Sequence, residues 1–241
     1  MAESTLELVY RFFHMIHPEH QRRAYLQAMG IDVWLPRDAP EPEDRPSAVA
    51  GTAGAEALDW DELRQCVADC TRCELAGSRR QTVFGIGKRD ADWMIVGEAP
   101  GAEEDRRGEP FVGRAGQMLD EMLRAIGQSR DSVFIANTLK CRPPDNRDPK
   151  PAEAAACRDY LERQIALVQP KVILAVGKIA AQNLLGCDDP VAAMRDRAHD
   201  HNGIPLVVTY HPAYLLRSPS QKRKVWSDLC LASRLSSEGA A

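Results

Sequence analysis

The chain of 241 residues has no apolar run of membrane-spanning length, and its N-terminus lacks the basic-then-apolar pattern of a secretory signal. These absences argue against a membrane or secreted protein, and we expect a cytoplasmic one. No internal repeat is present, which argues against a repeat architecture. The hydrophobic share of 44% is enough for a real core, so the length predicts one domain of ordinary size with an appendage.

An overall excess of positive charge, the usual mark of a nucleic-acid binder, is also missing, because the net charge is −4. The charge is unevenly spread, however. Residues 1–60 hold 5 Lys and Arg against 10 Asp and Glu, whereas residues 61–241 hold 26 against 25. The acidity therefore belongs to the N-terminal segment, and basic patches further along the chain can still contact phosphate.

Four regions follow from composition. Residues 1–36 form a predicted N-terminal helical extension, and residues 37–57, rich in Pro, Ala and acidic residues, form a predicted disordered linker. Residues 58–236 are the predicted globular domain, and 237–241 a tail. The extension ends in a hydrophobic peptide at 31–36, which either docks a replication or repair protein or is an appendage without such a role. We expect a monomer.

Within the globular part, short apolar runs alternate with helical patterns. This alternation predicts an α/β fold, a three-layer α/β/α domain with a central four-stranded parallel sheet. The predicted strands are 92–96, 132–137, 171–176 and 205–209, and the predicted helices are 61–70, 115–126, 149–168, 178–185 and 220–233.

The stretch 96–116 follows the first strand and holds five glycines, Phe111 and several acidic residues. Glycine lets backbone amides approach a ligand, and loops at the carboxyl ends of parallel strands are the usual ligand sites of open α/β sheets. A plain surface connector is the alternative interpretation, which Pro100 and Phe111 make less apt.

Two more polar residues end strands at the same predicted edge. Asn137 closes the second strand, and its amide can both donate and accept a hydrogen bond, as the edge of a base requires. His211 follows the fourth strand. The loop behind it mixes apolar residues with Arg217 and leads to the basic residues 222–224, a combination suited to insertion into a duplex. For 222–224 alone, a solvated helix face is the simpler interpretation.

Seven cysteines in a chain without a secretory signal suggest metal or redox chemistry before disulfides. Cys70 and Cys73 form a C-x2-C pair, and Cys141 and Cys157 could complete a four-thiolate site. For the C-x2-C pair alone, structural zinc is the first expectation. Cys66 is a second-choice ligand, and scattered free cysteines are the alternative.

Taken together, four motifs are specific: GEAPG at 97–101, EPFVGRAGQML at 109–119, NTLKCRPPDNR at 137–147 and HPAYLLR at 211–217. With the four cysteines, they resemble the family 4 uracil-DNA glycosylases of the uracil-DNA glycosylase superfamily over about residues 60–235. The resemblance implies excision of uracil from DNA by hydrolysis of the N-glycosidic bond, leaving an abasic site for base-excision repair. It also implies that the base leaves the stack, and that Cys70, Cys73, Cys141 and Cys157 hold a 4Fe-4S cluster rather than zinc.

The resemblance also implies roles for single residues. Phe111 would stack on the flipped uracil, Asn137 would bind the pyrimidine edge and reject cytosine, and His211 would stabilise negative charge on uracil O2. The implied contacts to the duplex are Tyr214, Leu215 or Leu216, and Arg217.

Glu98, with Gly97 and Ala99, would line the pocket, and Glu104 would lie near the sugar or the attacking water. Breaking a glycosidic bond creates a cationic sugar and an anionic leaving group, so acidic residues and a hydrogen-bond donor suit the two sides. Ala99 is a departure, because the family 1 enzymes carry an aspartate that activates water at this place. The water-activating group is therefore open between Glu98 and Glu104.

Three rival functions remain to be weighed. A non-catalytic DNA-binding or polymerase-associated protein is disfavoured by the intact Phe111, Asn137 and His211. A relative that links covalently to DNA should carry a basic, histidine-containing loop after the second motif, and residues 141–151 contain no histidine. A ferredoxin-like electron carrier does not explain the base pocket.

Overall fold

The computed structural model describes residues 57–238. The predicted N-terminal extension, the linker up to residue 56 and the last three residues lie outside the described residues. Across the described range, every helix is too short or too polar to cross a bilayer.

A single six-stranded sheet forms the centre of the described domain, in the order β1-β3-β2-β4-β6-β5. The four inner strands run parallel, and the two edge strands pair antiparallel with their neighbours. The strands are β1 (Ile86–Gly87), β2 (Trp93–Gly97), β3 (Phe134–Asn137), β4 (Val172–Val176), β5 (Ala198–His201) and β6 (Ile204–Thr209).

Helices cover both faces of this sheet, so the α/β class and the layering are confirmed. They are α1 (Trp60–Ala68), α2 (Ala102–Arg107), α3 (Arg114–Ala125), α4 (Pro151–Val168), α5 (Lys178–Leu185), α6 (Val191–Met194), α7 (Pro212–Arg217) and α8 (Lys222–Glu238). Short 3-10 turns lie at Glu74–Gly77, Pro144–Asn146 and Pro219–Gln221.

Successive side chains of β2 point to opposite faces of the sheet and enter two separate cores. Met94 and Val96 pack with α1, α4 and α5, whereas Trp93 and Ile95 pack with α3, α7 and α8. All five residues of β2 are buried. This double burial is the reason why the strand is a continuous apolar run rather than an alternating one.

The prediction of a four-stranded sheet was incomplete, because β1 and β5 add one antiparallel strand at each edge. β1 has only two residues, and β5 is the polar sequence AHDH, so neither carries an apolar run. The structure also places short helices where loops were expected, α2 within 96–116 and α7 within the segment after His211. Both have six residues, too few for helical periodicity to register.

The strand order places the functional loops together. Along the parallel strands the chain runs from β2 to β3 on one side and to β4 and β6 on the other, so the order reverses beside β2. Ligands of open α/β sheets bind at the carboxyl edge near such a reversal. The loops that follow β2, β3 and β6 all begin at this edge.

Candidate active site

A cleft of about 550 Å³ opens at the carboxyl edge of the sheet. It brings together residues from all four motifs, although they are up to 119 positions apart between Glu98 and Arg217. Its lining includes seven of the predicted residues: Glu98, Ala99, Glu104, Phe111, Asn137, His211 and Arg217.

Gly97 lies where two of these side chains meet. A Cβ added at Gly97 would lie 2.6 Å from Phe111 Cζ and would also collide with Asn137 Oδ1. Any side chain at this position would therefore push the aromatic ring and the amide apart. Gly97 serves the site by its small size, which allows Phe111 and Asn137 to share one wall.

Asn137 ends β3 and is buried, with 2% of its surface exposed. Its main-chain carbonyl accepts a hydrogen bond from Lys140 Nζ at 2.8 Å, which anchors the backbone. Its side-chain Oδ1, in contrast, is buried without a hydrogen-bond partner. Buried polar atoms are nearly always paired, so an unpaired one in a residue that lines a cleft is a candidate for contact with a ligand. A ligand that offers an N–H donor would satisfy it.

His211 caps the start of α7. Its Nδ1 accepts a hydrogen bond from the Ala213 amide at 3.1 Å. Burial, reinforced by the positive charge of Arg217, lowers the pKa of His211 to about 4, although Glu104 opposes the shift. The ring is therefore neutral near pH 7, and since Nδ1 is an acceptor, its proton lies on Nε2. His211 is thus a neutral hydrogen-bond donor.

Phe111 is 6% exposed, and its ring lies against that of His211 with centroids 5.8 Å apart and planes 29° from parallel. Its backbone is left-handed, with φ of 55°. Glu104 holds the next two residues, because its Oε1 accepts hydrogen bonds from the amides of Val112 at 3.0 Å and Gly113 at 3.2 Å. Glu104 was expected to lie near the sugar or water; its carboxylate lines the cleft but also supports the Phe111 loop.

Glu98 follows β2 directly and is half-buried in the cleft. Burial, and to a lesser extent the negative charge of Asp148, raises the pKa of Glu98 to about 7. A carboxyl group with such a pKa can exchange a proton near neutral pH, as general acid–base catalysis requires. Ala99 also lines the cleft and contributes no proton-carrying group.

The segment after His211 separates the two leucines that were expected at the duplex. Leu215 is 1% exposed and packs in the core against α3 and α8, whereas Leu216 is 37% exposed. Leu215 is therefore committed to the fold, and only Leu216 is available for a wedge. Arg217 is exposed at the rim, and Tyr214 packs against Tyr210 with ring centroids 5.1 Å apart.

The four cysteines chosen as ligands approach one another on the α4 side of the sheet. Burial raises the pKa of Cys141 to about 11, and Cys157 and Cys73 raise it further while Arg79 opposes them. Burial also raises the pKa of Cys157, which senses Cys73 and Cys70. Arg79 Nη1 donates to Cys141 Sγ at 3.2 Å. Cys66 faces the Tyr160 hydroxyl instead, with Sγ 3.8 Å from it.

Between residues 57 and 238, no three His, Cys, Asp or Glu side chains are arranged to hold a single metal ion. The softness and number of the four thiols fit an iron–sulfur cluster, which is larger than an ion.

Two polar cleft residues had no predicted role. Asn146 and Asp148 come from the loop between β3 and α4 and also line the cleft. The only available signal was that Asn146 lies within the NTLKCRPPDNR motif. The approach of Asp148 to Glu98 depends on how this loop folds back, with left-handed backbone at Asp145 and Asn146.

Comparison with known proteins identifies relatives of this chain. The family model of the uracil DNA glycosylase superfamily matches residues 84–230. A type-4 uracil-DNA glycosylase of Archaeoglobus fulgidus is 39% identical over 176 residues, covering 70% of this chain and 88% of the relative. One from Pyrobaculum aerophilum is 39% identical over 185 residues, with 72% and 93% covered. One from Thermotoga maritima is 42% identical over 168 residues, with 67% and 88% covered.

Proposed function

The chain belongs to the uracil DNA glycosylase superfamily, and within it to the type-4 uracil-DNA glycosylases, and we propose that it excises uracil from DNA. The reaction is hydrolysis of the N-glycosidic bond, which releases uracil and leaves an abasic site at the start of base-excision repair. The observation that carries the proposal is one cleft in which Phe111, the unpartnered Asn137 Oδ1 and the neutral His211 converge.

Base recognition uses a flat face and an edge. Phe111 offers its ring to the flipped uracil, since aromatic stacking accepts any planar base. Asn137 supplies the selection: Oδ1 accepts the uracil N3–H while Nδ2 donates to O4. Cytosine presents an acceptor at N3 and a donor at C4, so an amide held in this orientation would face two mismatched groups.

His211 acts on the leaving group. As the glycosidic bond breaks, negative charge builds on uracil O2, and the Nε2–H of the neutral ring donates to this oxygen. Because the neutral ring already carries this proton, His211 does not have to take one up from solution at pH 7. The hydrogen bond that Nδ1 accepts from the Ala213 amide fixes the proton on Nε2. Pre-set donors of this kind are worth about 10²–10³ in rate.

Glu98 serves the sugar side. In its charged form it stabilises the cationic sugar, and with a pKa of about 7 it can accept a proton from the attacking water. Ala99 cannot replace the aspartate that activates water in family 1, so this task falls to Glu98. Glu104 is the weaker candidate, since its Oε1 is already engaged by the Val112 and Gly113 amides.

We also propose that Cys70, Cys73, Cys141 and Cys157 hold a 4Fe-4S cluster. Three features support this: the four-thiol donor set, the mutual approach of the thiols, and the Arg79 donor beside Cys141. When bound, the cluster would cross-link the segment after α1, the loop after β3 and helix α4, which carry these cysteines. Purified protein should be brown, with broad absorbance near 400 nm and about four irons per chain. Colourless protein with stoichiometric zinc would contradict this assignment.

The decisive assay measures uracil release from U:G and U:A duplexes and from single-stranded DNA containing uracil. The same strands with thymine or cytosine in place of uracil are the control substrates. Asn137→Ala and His211→Ala should lose most of the release but still bind DNA. Full activity of either variant on the U:G duplex would refute the role proposed for that residue. A wild-type protein that releases no uracil would refute the proposed function.

A further inference from the structure

The backbone at Phe111 is unusual for a bulky side chain. Six non-glycine residues in the described part of the chain have positive φ, and the other five are Asp, Asn or Gln. Asn and Asp tolerate this left-handed region, whereas Phe rarely enters it. A strained conformation of this kind persists only where surrounding contacts hold it, and it is found most often at functional sites.

Arg130, in the segment between α3 and β3, supplies such contacts. Its Nη1 donates to the Pro110 carbonyl at 3.1 Å, and its Nη2 donates to the Phe111 carbonyl. Its Nε donates to Asp120 Oδ1 on α3 at 2.6 Å. The planar guanidinium therefore joins two consecutive carbonyls of the strained loop to a carboxylate on a helix, a geometry that lysine cannot reproduce.

The helix also makes room for this arrangement. A Cβ added at Gly116, in the first turn of α3, would collide with the Phe111 carbonyl. The carbonyl thus lies directly against the helix backbone and within reach of Arg130. Arg130 therefore binds the carbonyl of Phe111, and Glu104 binds the amides of the next two residues. The loop is held on both its carbonyl and its amide side.

Resting on the proposed function, we propose that Arg130, held by Asp120, is a positioning residue that keeps the Phe111 ring in place to stack on the flipped uracil. Arg130 does not line the cleft, and its guanidinium is engaged on the loop carbonyls and Asp120. It acts on the reaction only through Phe111. Misplacement of a substrate-positioning group by about 1 Å can lower the rate about 10²-fold.

The test is single-turnover excision of uracil by Arg130→Gln, Phe111→Leu and the double variant. We expect Arg130→Gln to lower the excision rate by about 10–10², with DNA affinity little changed. Adding Arg130→Gln to Phe111→Leu should cost almost nothing more, because the ring that Arg130 positions is already gone. Methylguanidinium should partly restore an Arg130→Ala variant and should not restore Phe111→Leu.

Arg124→Gln is the matched control, since Arg124 lies on α3, is 71% exposed and, among the residues that the structure describes, pairs with Glu121 of the same helix. If Arg130→Gln does not fold, Asp120→Asn is tested instead. We expect it to lower the excision rate by a smaller factor, and to have no further effect when combined with Phe111→Leu. Full additivity with Phe111→Leu, or wild-type activity of the folded variant, would overturn the positioning role. Either outcome would leave the proposed function intact as long as the wild-type protein excises uracil. A wild-type protein that does not excise uracil would instead refute the proposed function, on which the role of Arg130 rests.

Discussion

Replacing Asn137 by alanine should move activity and stability in opposite directions. Its Oδ1 is buried without a partner, and such an atom costs the free protein about 1–3 kcal/mol. The hydrogen bond that anchors this position uses the main-chain carbonyl, so it survives the substitution. The vacated space joins the cleft and can fill with water. We therefore expect a gain of about 1 kcal/mol, or about 2–4 °C in Tm.

Activity should fall by the loss of two hydrogen bonds to uracil. Leaving two ligand groups unpaired costs about 3–4 kcal/mol in total, which corresponds to about 10²–10³ in kcat/KM. Single-turnover release of uracil measures the loss of activity, and thermal unfolding monitored by circular dichroism measures the gain in stability.

Thr138→Val is the matched control for this experiment. Thr138 is equally buried, and its hydroxyl donates to the Gly97 carbonyl at 3.1 Å. Losing this satisfied bond should lower the stability by about 1 kcal/mol while uracil release continues. An Asn137→Ala protein that loses stability as the control does would show that Oδ1 is satisfied without a ligand. One that releases uracil at the wild-type rate would refute the recognition role.

Further expectations concern pH and the duplex. If Glu98 accepts the proton, the rate should fall as pH drops through about 7, and Asp148→Asn should move this limb to lower pH by removing a like charge; an unmoved limb contradicts the pairing. Because the pKa of His211 is about 4 when folded and about 6.5 when unfolded, the unfolded state binds more protons between these values. The contribution of His211 to stability should therefore rise with pH across that window. Glu98 contributes the opposite slope, because its pKa is raised from 4.5 to about 7 on folding. His211→Gln should remove the rising contribution, so urea titrations of the variant should show stability that falls more steeply with pH than that of the wild type. Leu216→Ala should weaken excision from duplex DNA more than from single strands, whereas Leu215→Ala should lower stability by about 2–5 kcal/mol; equal effects on both substrates would exclude Leu216 as the wedge.

Local sequence patterns predict much of the fold and of the candidate site. The inner strands are buried on both faces, so each shows as an apolar run such as Trp93–Gly97. The motif residues Phe111, Asn137 and His211 follow or end such strands, and a parallel sheet must bring those ends to one edge. Composition and strand pattern were therefore sufficient to predict the class and the cleft edge, whereas the reaction was predicted from the resemblance of the motifs to the family 4 uracil-DNA glycosylases.

Other features depend on contacts between distant segments, and no local pattern records them. The polar strand β5 exists only because β6 offers an edge, and the choice between Leu215 and Leu216 follows from which one faces α3 and α8. The pKa of Glu98 depends on burial in the cleft and, to a lesser extent, on a carboxylate 50 positions away. Sequence alone determined which chemical groups are present; tertiary structure decided which are desolvated, paired or left free, because burial and charge act through space.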